Sequence, residues 1–140
     1  MVDSAYNGDG VAVKAALANG VSADAKSPVG MTALMAAARN NHVKVMDLLI
    51  GAGANVNARD SNGWTALMTA AYKGHTEAVK TLVDAGAIID IRNNDGQTAV
   101  DLSVERKDGE TLSYFYDVIG TKPNTTPANI ETQVQQNQRQ

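Results

Sequence analysis

A catalytic or metal-ligating histidine in this chain would have to be His42 or His75, because there are only two histidines in its 140 residues. Cysteine is absent, which removes disulfides, thiolate chemistry and cysteine-ligated zinc from consideration. Asp60-Ser61-Asn62-Gly63 offers oxygen ligands in a pattern that resembles part of a calcium loop. A full loop needs an acidic first ligand two residues earlier, where Ala58 stands, and a glutamate at its twelfth place, where Thr69 stands. Gly51 and Gly53 read as a helix end leading into an extended stretch, the reverse of the strand–glycine–helix order that cradles phosphate. Asn124-Thr125-Thr126 matches a glycosylation triplet, which has meaning only in a eukaryotic secretory pathway. None of these groups assembles a nucleophile, a base and an orienting partner.

The elements that carry these residues repeat. Residues 30–59 align with residues 63–92 without a gap: Gly30 with Gly63, Thr32 with Thr65, His42 with His75, Gly53 with Gly86 and Arg59 with Arg92, always 33 positions apart. The same step carries Gly63 to Gly96 and Thr65 to Thr98, and backwards carries Gly53 to Gly20. A fixed period of this length marks stacked supersecondary units in place of one globular core. Thr32 and Thr65 are each placed to cap a helix with a side-chain oxygen. The spacing predicts helices over 33–40 and 43–50, a turn at Asn41-His42, and a tight turn at Asn62-Gly63 that projects as a finger.

The run G-x-T-A-L-M-x-A-A, followed by H-x-x-V-x-x-L and then A-G-A-x-V/I-N/D, resembles the ankyrin repeat over roughly residues 3–119. That resemblance implies an all-α ankyrin-repeat solenoid of stacked helix–turn–helix units with projecting β-hairpin fingers. Its repeats would cover 1–26, 27–59, 60–92 and 93–120, the outer two acting as caps, before a polar tail at 121–140. It also implies a structural role for His42 and His75. A step of one repeat, roughly 10 Å between stacked helices, would keep them from sharing a metal. Met35 and Met68 stand where such repeats usually have histidine, and Ala33 and Ala66 where they usually have proline. These departures should remove one side-chain hydrogen bond and some rigidity from each helix start.

Composition agrees with a closely stacked helical core. The chain is 44% hydrophobic but only 4% aromatic, so alanine and leucine must fill the interior. The fourth unit is irregular: Phe115 falls at the position of Leu49 and Leu82 and should be core, while Tyr114 and Tyr116 should shield the end of the stack. Residues 121–140 hold five glutamines, four threonines, three asparagines and two prolines, the composition of a flexible tail. Ile130 and Val134 could place one short helix of it against the terminal tyrosines. A net charge of −3 gives no general attraction to nucleic acid or to an anionic membrane. No apolar run approaches the roughly 18 residues that a membrane span needs. No basic-then-apolar leader opens the sequence, and a natural start reads the same as a chain that has lost its leader.

The residues that do not follow the repeat are the informative ones. In ankyrin-like stacks the finger tips and the outer side of the first helices form one groove. The positions that map there include Met31, Arg39, Arg59, Trp64, Tyr72, Lys73, Arg92, Gln97 and Arg106. The only tryptophan is among them, with four of the five arginines. Tryptophan, tyrosine and arginine are the types enriched at interface hot spots. A structural alternative for Trp64 is packing against a neighbouring finger. Lys26, Arg39, Arg59, Lys73, Arg92 and Arg106 stand on this face against Asp95 and Glu105, so positive charge is segregated on an acidic protein.

The expected function is therefore non-catalytic protein binding through the concave groove, with no cofactor and no metal, by a protein that is monomeric when free. The partner would be another protein with an acidic surface or segment, and binding could mask or inhibit a partner enzyme in the manner of an immunity protein. The rival readings are a nucleic-acid-binding protein using the basic groove and a hydrolase; the acidic total and the unpartnered histidines oppose them. The absence of cysteine and the glutamine-rich tail lean towards export to a bacterial periplasm over the cytoplasm.

Overall fold

Residues 1–106 and 109–120 are described by a computed structural model of the chain. Residues 121–140, with the expected tail and the Ile130/Val134 contact, lie outside the described residues. Among the described residues eight helices follow one another: α1 Val2–Tyr6, α2 Gly10–Ala18, α3 Ala33–Arg39, α4 Val43–Gly51, α5 Ala66–Lys73, α6 Thr76–Asp84, α7 Ala99–Arg106 and α8 Gly109–Ile119. They form two rows, with α1, α3, α5 and α7 stacked in one and α2, α4, α6 and α8 in the other.

The rows follow from side-chain size. In α3, Ala33, Ala36, Ala37 and Ala38 are fully buried, and α5 repeats this with Ala70 and Ala71, so the first-row helices approach closely. The second row contributes the bulk: Leu49, Leu82 and Phe115 occupy one repeat position and are all 0% exposed, which makes Phe115 core as its register predicts. Tyr114 is half-buried beside it, its ring 6.2 Å from that of Phe115 and 5.5 Å from the Lys80 ammonium.

The starts of α3 and α5 are closed by side chains. Thr32 Oγ1 accepts from the Met35 amide at 3.2 Å, and Thr65 Oγ1 accepts from the Met68 amide at 3.2 Å. The expectation that Met35 removes a hydrogen bond here is corrected: its sulfur accepts the Thr32 amide at 3.4 Å and closes the capping box in place of a more polar acceptor. In the turn between paired helices, Gly8, Asn41 and Gly74 are equivalent and all adopt positive φ, at 74°, 58° and 73°. Asn41 is the only non-glycine with positive φ among the described residues, and its Oδ1 is buried without a partner.

The fingers are tight turns, and no strand is assigned among the described residues; one isolated bridge joins Lys26 and Thr32. Each finger is closed by two main-chain bonds, as when Asp60 N donates to Trp64 O and Gly63 N to Asp60 O, both at 2.9 Å. The side chain at the turn's first position then takes the remaining donors: Asp60 Oδ1 accepts from the Asn62 and Trp64 amides at 2.8 and 3.0 Å. Asn93 does the same with Asp95 and Gln97, both at 2.9 Å. Side chains thus consume the N–H groups that a longer hairpin ladder would use. Only Gly63 takes the left-handed conformation in Asn62-Gly63, at φ +79°.

Successive fingers and loops are stitched together in register. Ser61 N donates to Val29 O at 3.1 Å, and Asn94 N donates to Asn62 O at 3.0 Å. Pro28 stands where Ser61 and Asn94 stand in the following fingers and has no N–H. Between the loops, Asp24 Oδ1 accepts from Asn55 N at 2.7 Å and Asn57 Oδ1 from Ile88 N at 2.8 Å. Among the described residues, no helix is long and apolar enough to cross a membrane.

Candidate functional site

The C-terminal turns of α3 and α5 face the first and second full fingers, and a hollow of about 230 Å³ lies between them. Its lining is Met31, Met35, Arg39, Asp60, Asn62, Trp64, Thr69, Tyr72 and Lys73. Register explains the pairing of helix residues, since Arg39 and Tyr72 end equivalent helices one repeat apart. Trp64 immediately precedes the capping Thr65, so the cap fixes where the indole leaves the finger. Its ring meets Tyr72 edge to face, with centroids 5.5 Å apart and planes at 85°. That geometry suits the opposed charge of ring edge and ring face. Trp64 is half-buried and packs against the core, whereas Tyr72 is 42% exposed.

Of the nine residues expected to bind a partner, this hollow brings together Met31, Arg39, Trp64, Tyr72 and Lys73. The other four lie elsewhere. Arg59 is tied into the finger stems, donating from Nη2 to Arg92 O at 2.7 Å and from Nε to Gly63 O at 3.3 Å. Arg92 donates from Nη1 to Gly96 O at 2.7 Å in its own finger. Gln97 donates from Nε2 to Glu105 at 3.4 Å and accepts from Asn93 at 3.2 Å. Arg106 is exposed in the last turn of α7.

Four further residues line the hollow: Asn62, which the turn at Asn62-Gly63 puts at a finger tip, and Met35, Asp60 and Thr69, which are not among the expected positions. Asp60 had a signal, because Ser27, Asp60 and Asn93 share the first turn position, where a short polar acceptor is needed. Its carboxylate is the acidic group in a hollow that otherwise carries Arg39 and Lys73. A larger depression, about 580 Å³, is lined by Gly8, Asn41, His42, Val43, Lys44, Val45, Asp47 and Glu77. It offers no tryptophan, tyrosine or arginine, the types that dominate binding energy at interfaces.

The histidines act as connectors between repeats. His42 Nε2 is 3.1 Å from Tyr6 O, and His75 Nε2 is 3.1 Å from Arg39 O, the equivalent carbonyl one repeat on. Burial pushes the His75 pKa below its usual value, and the Arg106, Lys73 and His42 charges add to this; the hydrogen bond to Arg39 O opposes it. Among the described residues, no cluster of three or more His, Asp or Glu side chains could hold a metal ion.

Comparison with known proteins agrees with the register of helices and fingers. A family model for ankyrin repeats (3 copies) matches residues 1–93 and again residues 46–127. No curated protein gives a significant match to the chain. With its period, its two helical rows and its turn fingers all matched over most of its length, the chain belongs to the ankyrin-repeat family, whose members are generally protein–protein interaction modules and typically non-catalytic.

Proposed function

We propose that this protein is a non-catalytic binder that takes an acidic segment of a partner protein across its groove, with Trp64 and Tyr72 at the centre. The observation that carries this reading is the hollow where an aromatic pair, two methionines and the cations Arg39 and Lys73 converge. An edge-to-face pair presents a rigid apolar floor with little entropy left to lose, and the flanking cations supply charge that a carboxylate can meet. Asp60 does not cancel that field in full, since its Oδ1 already accepts two main-chain amides. Because the repeats carry no chemistry of their own, binding is itself the activity. A compact stack that covers a functional surface would inhibit a partner enzyme, in the way an immunity protein does. In this reading the free protein is a monomer, and the bacterial periplasm is the compartment the composition favours.

The test uses the full chain as bait, with Tyr72→Ala and Arg39→Glu variants as face controls. Capture of an acidic partner by the wild type, lost in both variants at unchanged circular dichroism and melting temperature, is the expected result. Equal capture by wild type and variants would remove the groove from the binding site. Size-exclusion chromatography with light scattering checks the monomer.

A further inference from the structure

Asp60 carries a charge that its turn does not need. Ser27, Asp60 and Asn93 hold the same first turn position. Asn93 Oδ1 accepts the amides of Asp95 and Gln97, both at 2.9 Å, just as Asp60 Oδ1 accepts those of Asn62 and Trp64. The second atom of each head group differs in its use. Asn93 Nδ2 donates to Gln97 Oε1 at 3.2 Å within its own finger. Asp60 Oδ2 has no partner among the described residues, and Asp60 lines the hollow with Trp64.

The cations of this face divide in a similar way. Lys26, Arg59 and Arg92 donate to main-chain carbonyls of the fingers. The side chains of Arg39 and Lys73 make no hydrogen bond or ion pair among the described residues, with Asp60 or with any other group. The hollow therefore presents one carboxylate and two cations, none paired with another, around the edge-to-face pair of Trp64 and Tyr72. At about 230 Å³ it is smaller than the roughly 300–1,000 Å³ pockets that hold drug-sized ligands, and it suits a single side chain.

We propose that Asp60 is a specificity-determining residue, which keeps carboxylates out of the centre of the hollow and reserves it for one uncharged apolar side chain of the partner. This rests on the reading of the groove as the site of an acidic segment, and it fixes the pattern of that segment: an apolar residue such as leucine with a carboxylate on either side. Charge complementarity sets the pattern. A carboxylate placed on the floor of Trp64 and Tyr72 would meet the Asp60 charge and exchange its water for aromatic surface. A carboxylate two residues away along an extended segment lies on the same face as the apolar residue, about 6–7 Å from it, and can meet Arg39 or Lys73. A uniformly acidic chain or a nucleic-acid backbone lacks the apolar anchor, so Asp60 turns such ligands away from an otherwise basic groove.

The probes are three capped heptapeptides titrated into the isotope-labelled full chain. The first is Gly-Glu-Ser-Leu-Ser-Glu-Gly; the second has glutamate in place of its leucine, and the third has glutamine in place of both glutamates. Amide shifts at Arg39, Trp64 and Tyr72 locate binding and give its Kd. The leucine peptide should bind about tenfold more tightly than either of the others, the scale of a like-charge clash or of lost charge pairs. Asp60→Asn should keep the melting temperature, because Asn93 closes the same turn with an amide oxygen. It should tighten the triple-glutamate peptide about tenfold and the leucine peptide far less, so that the preference collapses. Equal binding of the leucine and triple-glutamate peptides at these amides overturns the proposal and leaves the acidic-segment reading standing. A preference that survives Asp60→Asn, or a lower melting temperature of that variant, also overturns the proposal alone. Equal binding of the glutamine peptide, or no groove shifts with any peptide at millimolar concentration, removes both. Groove shifts in the peptide-free chain on dilution would assign the hollow to a second copy. Such shifts on Ile130→Ser, beside Glu131, the only acidic side chain in residues 121–140, would assign it to the chain's own C-terminal residues. Either result overturns the proposal.

Discussion

The guanidinium of Arg59 donates to the main-chain carbonyl of Arg92 at 2.7 Å while also holding Gly63 O at 3.3 Å, so one side chain fastens two consecutive fingers. Sequence position alone makes Arg59 a rim charge; the geometry adds a structural duty. Arg59→Ala should therefore lower stability by about 1–2 kcal/mol, the usual net worth of hydrogen bonds to a charged group at a solvent-facing site. Lys26→Ala loses only a 3.5 Å contact from an exposed ammonium and should stay within about 0.5 kcal/mol of wild type. Urea denaturation of the two variants decides it, and equal midpoints would return Arg59 to the rim alone.

Gly63 and Gly96 are equivalent glycines in successive fingers, at φ +79° and +78°. A Cβ on Gly63 would stand 2.6 Å from Asn94 Oδ1, 2.8 Å from Arg59 Nη2 and 2.9 Å from Asn94 N, while one on Gly96 would meet nothing within 4 Å among the described residues. Gly96→Ala should cost about 1–2 kcal/mol, the left-handed backbone penalty alone. Gly63→Ala should cost distinctly more, because it also opens the Arg59 tie. Matching losses in thermal unfolding would show that the fingers yield without resistance.

Asn41→Gly should stabilise the protein, against the ordinary expectation for a substitution to glycine. Asn41 holds φ 58° where its equivalents are Gly8 and Gly74, and its buried Oδ1 has no partner among the described residues. Removing the strain and the orphaned acceptor should gain about 0.5–1 kcal/mol, offset in part by the larger entropy of an unfolded glycine. A lower denaturation midpoint would mean that the amide has a partner of its own, such as an ordered water.

Trp64 and Tyr72 separate packing from binding. Half-buried Trp64 contributes to the fold, so Trp64→Ala should lower both melting temperature and affinity. Tyr72, 42% exposed, should lose affinity with little change in melting temperature. A hot-spot residue costs at least about 2 kcal/mol of binding on truncation. Calorimetry on a partner recovered with the wild type reads both; unaltered affinity in Tyr72→Ala would count against the groove.

Acid should weaken the fold through His75. Its folded pKa lies below the ordinary histidine value of about 6.5, chiefly because burial disfavours the charged ring. The unfolded chain then binds the proton more readily than the folded one. The contribution is complete above about pH 6.5 and is lost as pH falls through the unfolded value towards the folded one. His75→Gln should flatten that part of the stability profile, measured as denaturation midpoints between neutral and mildly acid pH. A profile of unchanged slope would assign the acid sensitivity to other groups.

The fold was legible because a period of 33 residues fixes register, and register fixes depth: Phe115 could be assigned to the core only because Leu49 and Leu82 precede it. The helix caps at Thr32 and Thr65 were legible for the same reason. The groove was legible in part. Arg39, Trp64 and Tyr72 meet because helix ends and finger tips repeat, whereas the ties of Arg59 and Arg92 end on main-chain carbonyls, which every residue has and no letter distinguishes. Met35 closes its cap with a sulfur, a weak acceptor that the residue type does not advertise. Asp60 has the residue type of a first turn position, and nothing in that type shows that the turn puts its carboxylate beside Trp64.

Pro28 gives the row of fingers a polarity that bears on how the array can be lengthened. A tandem duplicate of residues 60–92 brings Ser61 with it, so every new finger can donate to the carbonyl of the one before. A duplicate of residues 27–59 placed downstream would carry Pro28 into the interior and cut the stitching at that point. The third unit is thus a reusable module and the second is a starter, fit for one place only. Arrays extended by copying the third unit should gain stability with each addition, while those that copy the second should melt in two pieces on either side of the imported proline.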